Sequence, residues 1–189
     1  LGPGDFQCYF AKGKVPTPNV DRMAREGMRF TDAHTPAALC APTRYSVATG
    51  NYTWRGPLAG GTWGWNQGSA FKPGQKTVGH LLSEAGYRTG LMGKWHLGYD
   101  RKFNPRHHGF DEFRGYLSGN VDFHSHIDQA NFPDWWHDLE PAQEPGYTTH
   151  LITRHAVRFI EENRARPFCL YVAHEAPHSP YQGPNDPPV

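Results

Sequence analysis

The sequence predicts an α/β protein, a mixed and mainly parallel sheet flanked by helices. Three observations predict it. Helical segments with apolar residues at three- and four-residue spacing alternate with short apolar runs that read as buried strands. The boundaries carry helix-start and helix-stop residues where the alternation needs them. Gly 21 and Pro 17 together make about a fifth of the 189 residues, which suits long loops between elements better than a helix bundle.

Taken in order, Thr17 and Pro18 open a short amphipathic helix carrying Val20, Met23 and Ala24, stopped by Gly27. Met28 to Thr35 then reads as a strand leading to a loop at Cys40. Pro42 belongs in the first turn of a second helix, where its missing N–H would be unpaired anyway, and Gly50 is a C-terminal stop. The stretch from Asn51 to Lys76 reads as an irregular excursion within the domain. Thr77 caps a helix with Val78, Leu81, Leu82 and Ala85, ended by Gly86, and Arg88 to Met92 is the next strand. Thr148 opens a longer helix with Leu151, Ile152, Ala156, Phe159 and Ile160 on one face; after Pro167 comes the strand Phe168 to Ala173.

The chemistry concentrates in the run Leu39-Cys40-Ala41-Pro42-Thr43-Arg44. Near a helix N-terminus the macrodipole and the free backbone N–H groups favour negative charge and attract sulfate or phosphate. Arg44 follows Cys40 by one helical turn, so its guanidinium reaches back toward the same anion. In the second run, Gly86 to Gly98, Lys94 and His96 lie two residues apart, and on an extended stretch they point the same way. In open α/β sheets ligands bind outside the carboxyl ends of strands. Cys40, Lys94 and His178 each come a few residues after a predicted strand and are expected to converge on one edge.

Cys40-Ala41-Pro42-Thr43-Arg44, with Thr49-Gly50 and the run Gly93-Lys94-Trp95-His96-Leu97-Gly98, resembles the paired signatures of the type I, formylglycine-dependent sulfatases. Tyrosine phosphatases also pair a cysteine with an arginine, but with five intervening residues, whereas three separate Cys40 from Arg44. The resemblance implies an alkaline-phosphatase-like fold and hydrolysis of aryl or carbohydrate sulfate esters. It implies that a formylglycine-generating maturation enzyme oxidises Cys40 to formylglycine. One hydroxyl of the aldehyde hydrate attacks sulfur and the other later collapses to the aldehyde, expelling inorganic sulfate. Arg44 is then expected to hold the hydrate and support the metal site. Lys94 would bind the hydrate and the sulfate oxygens, and His96 would act as base in the elimination. His178, in Tyr171 to Pro180, matches the family's later histidine landmark and would bind sulfate, assisting protonation of the leaving group.

Other positions stay open at this level. Asn120, Asp122, His124 and His126 are candidate substrate-binding residues, and this polar and aromatic stretch, followed by Trp135, Trp136 and His137, suits stacking on a sugar or aryl ring; the alternative is a surface loop with buried aromatic anchors. His174 is either a strand-end histidine or a substrate contact. His107 and His108 read as a loop landmark of the family rather than a metal pair.

The resemblance further implies a divalent cation, usually calcium, held by the formylglycine at Cys40 and by Asp-Asp and Asp-Asn or Asp-His pairs. Leu1 to Asp5 resembles the residues immediately after the first pair, so those ligands are expected outside this chain. The chain is accordingly expected to be the N-terminal part of a sulfatase catalytic domain, truncated at both ends and inactive in isolation. Export, to periplasm, lysosome or medium, is implied by the family, with a signal upstream. A formal charge of +1 without a basic run gives no electrostatic footprint for nucleic acid, and no apolar run is long enough to span a membrane. Three cysteines cannot all pair, and no disulfide is assigned between Cys8 and Cys169. A phosphatase or phosphodiesterase of the same fold would place serine or threonine where Cys40 stands. A non-catalytic binding relative would have lost one of Arg44, Lys94, His96 or His178.

Overall fold

Leu91 and Met92 are consecutive residues of one strand, so their side chains leave it on opposite faces, and both are fully buried. A strand of that kind must be covered on both sides. In the computed structural model, which describes residues 2–57, 61 and 63–189, that is the case. The chain separates into a short unit, residues 1–35, and a larger one, residues 36–189.

The short unit carries helix α1 (Pro18–Glu26), and none of its helical residues is buried. Thr17 occupies the N-cap position without capping: its hydroxyl donates to Asp21 (3.0 Å) and accepts from the Gln7 N–H (3.0 Å). The predicted strand from Met28 to Thr35 does not form, and Met28 and Phe30 are exposed. A strand is stable only when a neighbour pairs its backbone groups. Among the described residues no ladder includes this segment; the Phe30 carbonyl instead accepts from Tyr9 Oη at 2.9 Å.

The larger unit contains α2 (Cys40–Thr49), α3 (Val78–Glu84), β1 (Arg88–Lys94), β2 (Glu112–Tyr116), β3 (Trp136–His137), β4 (Glu140–Pro141), α4 (Thr148–Asn163) and β5 (Phe168–Ala173). The sheet order is β4-β3-β2-β1-β5. β1 runs parallel to both β2 and β5, while β2-β3 and β3-β4 are antiparallel. The mixed, mainly parallel sheet flanked by helices is therefore present.

One face of the sheet is covered by α2, whose Ala41, Tyr45 and Ala48 recur at helical spacing and pack with Trp63, Phe71, Leu91, Trp95 and Phe113. On the other face Leu151, Ile152, Ala156 and Phe159 of α4 pack on Met92, Tyr116 and Trp135. Each fully buried side chain of this size contributes about 1.5–3 kcal/mol by leaving water. The predicted helix ends hold: Gly50 closes α2 at φ 67°, and the Thr77 hydroxyl accepts from the His80 N–H at the start of α3.

Strand β2 departs from the sequence pattern, because Glu112 and Arg114 make it read as polar. Glu112 is nonetheless buried, and its charge is balanced by Arg158, by Arg114 at 3.3 Å and by Arg88 at 4.0 Å. A buried charge is tolerated when so paired.

At the carboxyl ends the strands are pinched together. Gly93 of β1 faces Gly115 of β2 on one side and Ala173 of β5 on the other. Both glycines have positive φ, 112° and 153°, and a Cβ on either would run into the neighbouring backbone carbonyl, that of Ala173 for Gly93 and that of Gly93 for Gly115. Lys94 is the next residue.

Candidate active site

Leu39 is extended and Cys40 is the first residue of α2, so the thiol stands at the helix N-terminus as the sequence predicts. Arg44, one turn on, donates from Nη1 to the Lys94 carbonyl at 2.7 Å. That bond ties α2 to the end of β1 and holds two cationic side chains beside Cys40.

Beyond Lys94 the extended reading fails. His96 has φ 59°, in the left-handed region that few non-glycine residues adopt, and Trp95 between them turns into the core. The segment is kept in place by Trp95 and His96 N–H groups donating to the Tyr116 and Leu117 carbonyls, both at 3.0 Å. His96 Nε2 lies 3.0 Å from the Trp63 carbonyl, which can only accept, so the ring proton is on Nε2 and Nδ1 carries the lone pair. Burial, then the Lys94 charge, bring His96 down to about 3, so the ring is neutral at physiological pH.

Lys94 is 2% exposed. Burial, reinforced by Arg44, lowers its ammonium to about 8, opposed by Cys40 and Glu175. Glu175 is also buried, and burial pushes its carboxyl up to about 8 against the pull of the Val121 N–H, which donates to Oε1 at 2.9 Å, and of Lys94. Three buried polar atoms of this region have no hydrogen-bond partner, Arg44 Nε, Trp63 Nε1 and His96 Nδ1, and Tyr116 Oη and Glu175 Oε2 have none but each other. Buried polar groups are normally satisfied, so a concentration of exceptions marks a site arranged for something other than stability.

A cavity of ≈ 320 Å³ opens here, lined by Cys40, His96, Asn120 and His178 with Trp63, Trp65 and Tyr99. Four of the predicted site residues thus share one wall, with Arg44 and Lys94 adjoining it. His178, on the loop after β5, is exposed, its Nδ1 2.9 Å from the Ser179 carbonyl. The structure separates three further candidates from this cavity. Asp122 accepts from the N–H groups of His124 (2.9 Å), Ser125 (2.6 Å) and Val189 (2.7 Å) and from Gln182 Nε2 (2.7 Å). His124 and His126 contact the carbonyls of Gly183 (3.0 Å) and Gly146 (2.9 Å) and line a different cavity. His108 is likewise a packing residue, 4.3 Å from the Phe71 ring centroid, and burial lowers it to about 4.

Sequence reasoning missed several contributors. Tyr99 accepts from the Gly119 N–H (2.9 Å) and donates to the Trp63 carbonyl (3.2 Å), and burial raises its phenol to about 12. Buried Asp134 accepts from the N–H groups of Leu117 (3.0 Å) and Ser118 (2.7 Å), fixing the cavity floor from behind. Neither lies in a motif; the Trp-Gly-Trp run at 63–65 was the one sequence signal for the aromatic wall.

Two cations and a helix N-terminus suit a tetrahedral oxyanion beside Cys40, and the free lone pair of neutral His96 suits a base next to it. Residues 3–189 match the sulfatase family model. The chain belongs to the sulfatase family. This sulfatase chain is 34% identical, over 92% of its length, to an N-acetylglucosamine-6-O-sulfatase of Bacteroides thetaiotaomicron, and 35% identical, over 95%, to the N-acetylgalactosamine-6-sulfatase of Canis lupus familiaris. It spans 28% and 38% of the lengths of those relatives. Among solved structures, Ps i-CgsB superposes with a TM-score of 0.81 at 30% identity, covering 98% of this chain and 45% of that one. The sulfatase chain thus has the alkaline-phosphatase-like fold the motifs implied.

Calcium, the ion usual in the family, takes six to eight oxygen ligands. Arg44, Lys94, His96 and His178 around Cys40 offer nitrogen rather than oxygen, and the carboxylate that lines the same cavity is that of Asp128. These residues do not make a calcium site by themselves.

Proposed function

We propose that the protein carrying this chain hydrolyses sulfate esters of carbohydrates, with Cys40 converted to formylglycine as its nucleophile. The observation that carries the reading is the meeting of Cys40, His96 and His178 on one cavity, with Arg44 and Lys94 adjoining it. Formylglycine, once formed, supplies a hydroxyl nucleophile and a route for eliminating sulfate.

The chain's own residues supply the rest. Arg44 and Lys94 hold the sulfate oxygens and balance the charge that builds on them. His96 takes a proton at Nδ1 in the elimination. Its basicity is low without substrate because it is buried and because Lys94 and Arg44 repel the imidazolium. A bound sulfate offsets that repulsion, so His96 gains proton affinity when the anion is in place. His178, exposed at the cavity rim, donates to the leaving oxygen. Trp63, Trp65 and Tyr99 offer faces to a sugar ring, and Asn120, Asp128 and Gln129 offer polar groups to its hydroxyls. The relatives named for 6-sulfated N-acetylhexosamines point to the same class. The maturation enzyme and an exported location belong to this reading; no helix among the described residues is long and apolar enough to cross a membrane.

The test is to express the full-length protein with a formylglycine-generating enzyme, follow the Cys40 peptide by mass spectrometry and assay 6-sulfated N-acetylhexosamines beside an aryl sulfate. Thiol-to-aldehyde conversion is expected, with sulfate release that Cys40→Ala lowers by more than about a thousandfold. An unmodified thiol, or turnover of phosphate esters in preference to sulfates, overturns the reading.

A further inference from the structure

A second cluster of titratable groups lies among residues that the Cys40 chemistry does not use. His137 of β3, Glu144 of the loop before α4 and His155 of α4 bring one ligand atom each to within 4.8 Å of the others. The geometry is closer than that bound. His137 Nε2 is 2.9 Å and His155 Nε2 2.8 Å from the same oxygen, Glu144 Oε2. No other His, Cys, Asp or Glu group among the described residues gathers three such atoms.

We propose that His137, Glu144 and His155 form a binding site for a divalent transition metal of the zinc class, separate from the Cys40 cavity. The donor set of two imidazoles and one carboxylate is the chemistry zinc prefers, and three protein ligands leave a fourth position for water. Around a tetrahedral zinc, ligand atoms bonded at about 2.0–2.2 Å stand about 3.3 Å apart, so each carboxylate–imidazole spacing needs to open by only about half an ångström, and the two imidazole nitrogens already lie within 4.8 Å of each other.

The surroundings hold the carboxylate as metal sites do. Trp135 Nε1–H donates to Glu144 Oε2 at 3.0 Å, and Arg154 pairs with Oε1, which leaves Oε2 directed at the two imidazoles. Burial favours the neutral acid, but the bonds from His155, His137, Trp135 and Arg154 outweigh it and keep Glu144 well below the usual carboxylate range. His155 and Glu144 side chains are 11% and 15% exposed, whereas His137 is 38% exposed and gives the ion its way in. Each neutral imidazole that binds through Nε2 carries its proton on Nδ1 instead; any imidazolium gives one proton to solvent. The ion would pin the β3-β4 hairpin, the loop at residue 144 and α4 to one point.

The experiment is to strip the full-length protein of metal, return calcium in excess so that the oxygen-ligand cation site expected around Cys40 stays filled, and titrate it with zinc by calorimetry and with cobalt by visible absorption. One equivalent is expected at micromolar Kd or tighter, with the d–d bands of a low-coordinate cobalt ion and a rise in Tm of roughly 5 °C at a hundredfold excess over Kd. His137→Ala, at a partly exposed side chain, should weaken binding by at least about a hundredfold while retaining the far-ultraviolet circular dichroism of the parent. His155→Gln should do the same, and Cys40→Ala should leave the titration unchanged. No stoichiometric binding, equal binding by His137→Ala, or loss of binding in Cys40→Ala would overturn the proposal, and the first outcome would make the cluster a hydrogen-bonded ion group. Because the site does not depend on the sulfatase reading, failure of one leaves the other standing.

Discussion

Two buried carboxylates illustrate two uses of the same chemical group. Asp122 receives four hydrogen bonds from three backbone N–H groups and one side-chain amide. Glu175 receives one backbone N–H, and its second oxygen has only the Tyr116 hydroxyl beside it. Burial pushes both toward the neutral acid. At Asp122 the donors outweigh burial and hold the carboxyl well below its usual range, whereas at Glu175 burial prevails and the group rises to about 8. The first arrangement locks a loop. The second keeps a titratable charge loose beside Lys94 and, through it, beside His96 and Cys40, at the expense of stability. Near Glu175 the groups left without a partner include cationic and titratable ones, Arg44 Nε and His96 Nδ1.

The contrast can be broken most severely at His96. His96→Ala in the matured full-length protein should lower kcat by about 10²–10⁴-fold while costing only about 1–2 kcal/mol in urea unfolding, for the lost Trp63 bond and the space left by the ring. A large loss of stability with unchanged kcat per folded molecule would place His96 with Asp122 instead. Next in size, Asp122→Ala strands donors that are now satisfied and should cost about 2–4 kcal/mol in urea unfolding, with kcat per folded molecule retained. Since the Asp122 carboxyl is depressed in the fold, its contribution is present above the unfolded carboxylate range near pH 4 and is lost as pH falls further. An acid limb steeper in wild type than in Asp122→Ala checks this.

The smallest effect sharpens the comparison from the other side. Glu175 is raised, so the folded state keeps a proton that the unfolded state releases between its ordinary value of 4.5 and about 8, and stability falls as pH climbs through that window. Glu175→Gln should remove this slope, leaving the variant more stable than wild type by about 1–2 kcal/mol at pH 9 and little changed at pH 4. It should also move the alkaline limb of kcat/KM to lower pH, because Glu175 supports the charged form of Lys94. An unchanged limb would detach Glu175 from Lys94.

Much of this was legible in the sequence because local rules carried it. α2, α3 and α4, their stops at Gly50 and Gly86, and strands at Arg88 and Phe168 come from capping residues and apolar spacing. The candidate site was legible through short motifs, which placed Cys40, Arg44, Lys94, His96 and His178 in one neighbourhood. What failed depends on partners distant in sequence. β2 can be a strand because three arginines neutralise Glu112, two of them from other elements, and Met28 to Thr35 is not one because no strand ladder among the described residues includes it. Asp122, His124 and His126 share a polar pattern with Asn120, yet Asn120 alone lines the cavity. The others are claimed largely by carbonyls and amides some 20 to 67 residues away that no local pattern reveals.

The pinched strand ends have a consequence for how such a protein can diversify. At the junction of Gly93, Gly115 and Ala173 a side chain on either glycine would collide with the adjoining main chain, so this patch is closed to point substitution. A lineage changing its substrate therefore cannot do so by altering these two strand ends one residue at a time. Its open routes are the segments that line the cavity outside the sheet, among them the aromatic stretch around Trp63 and Trp65, the turn at residues 128–130 and the loop bearing His178.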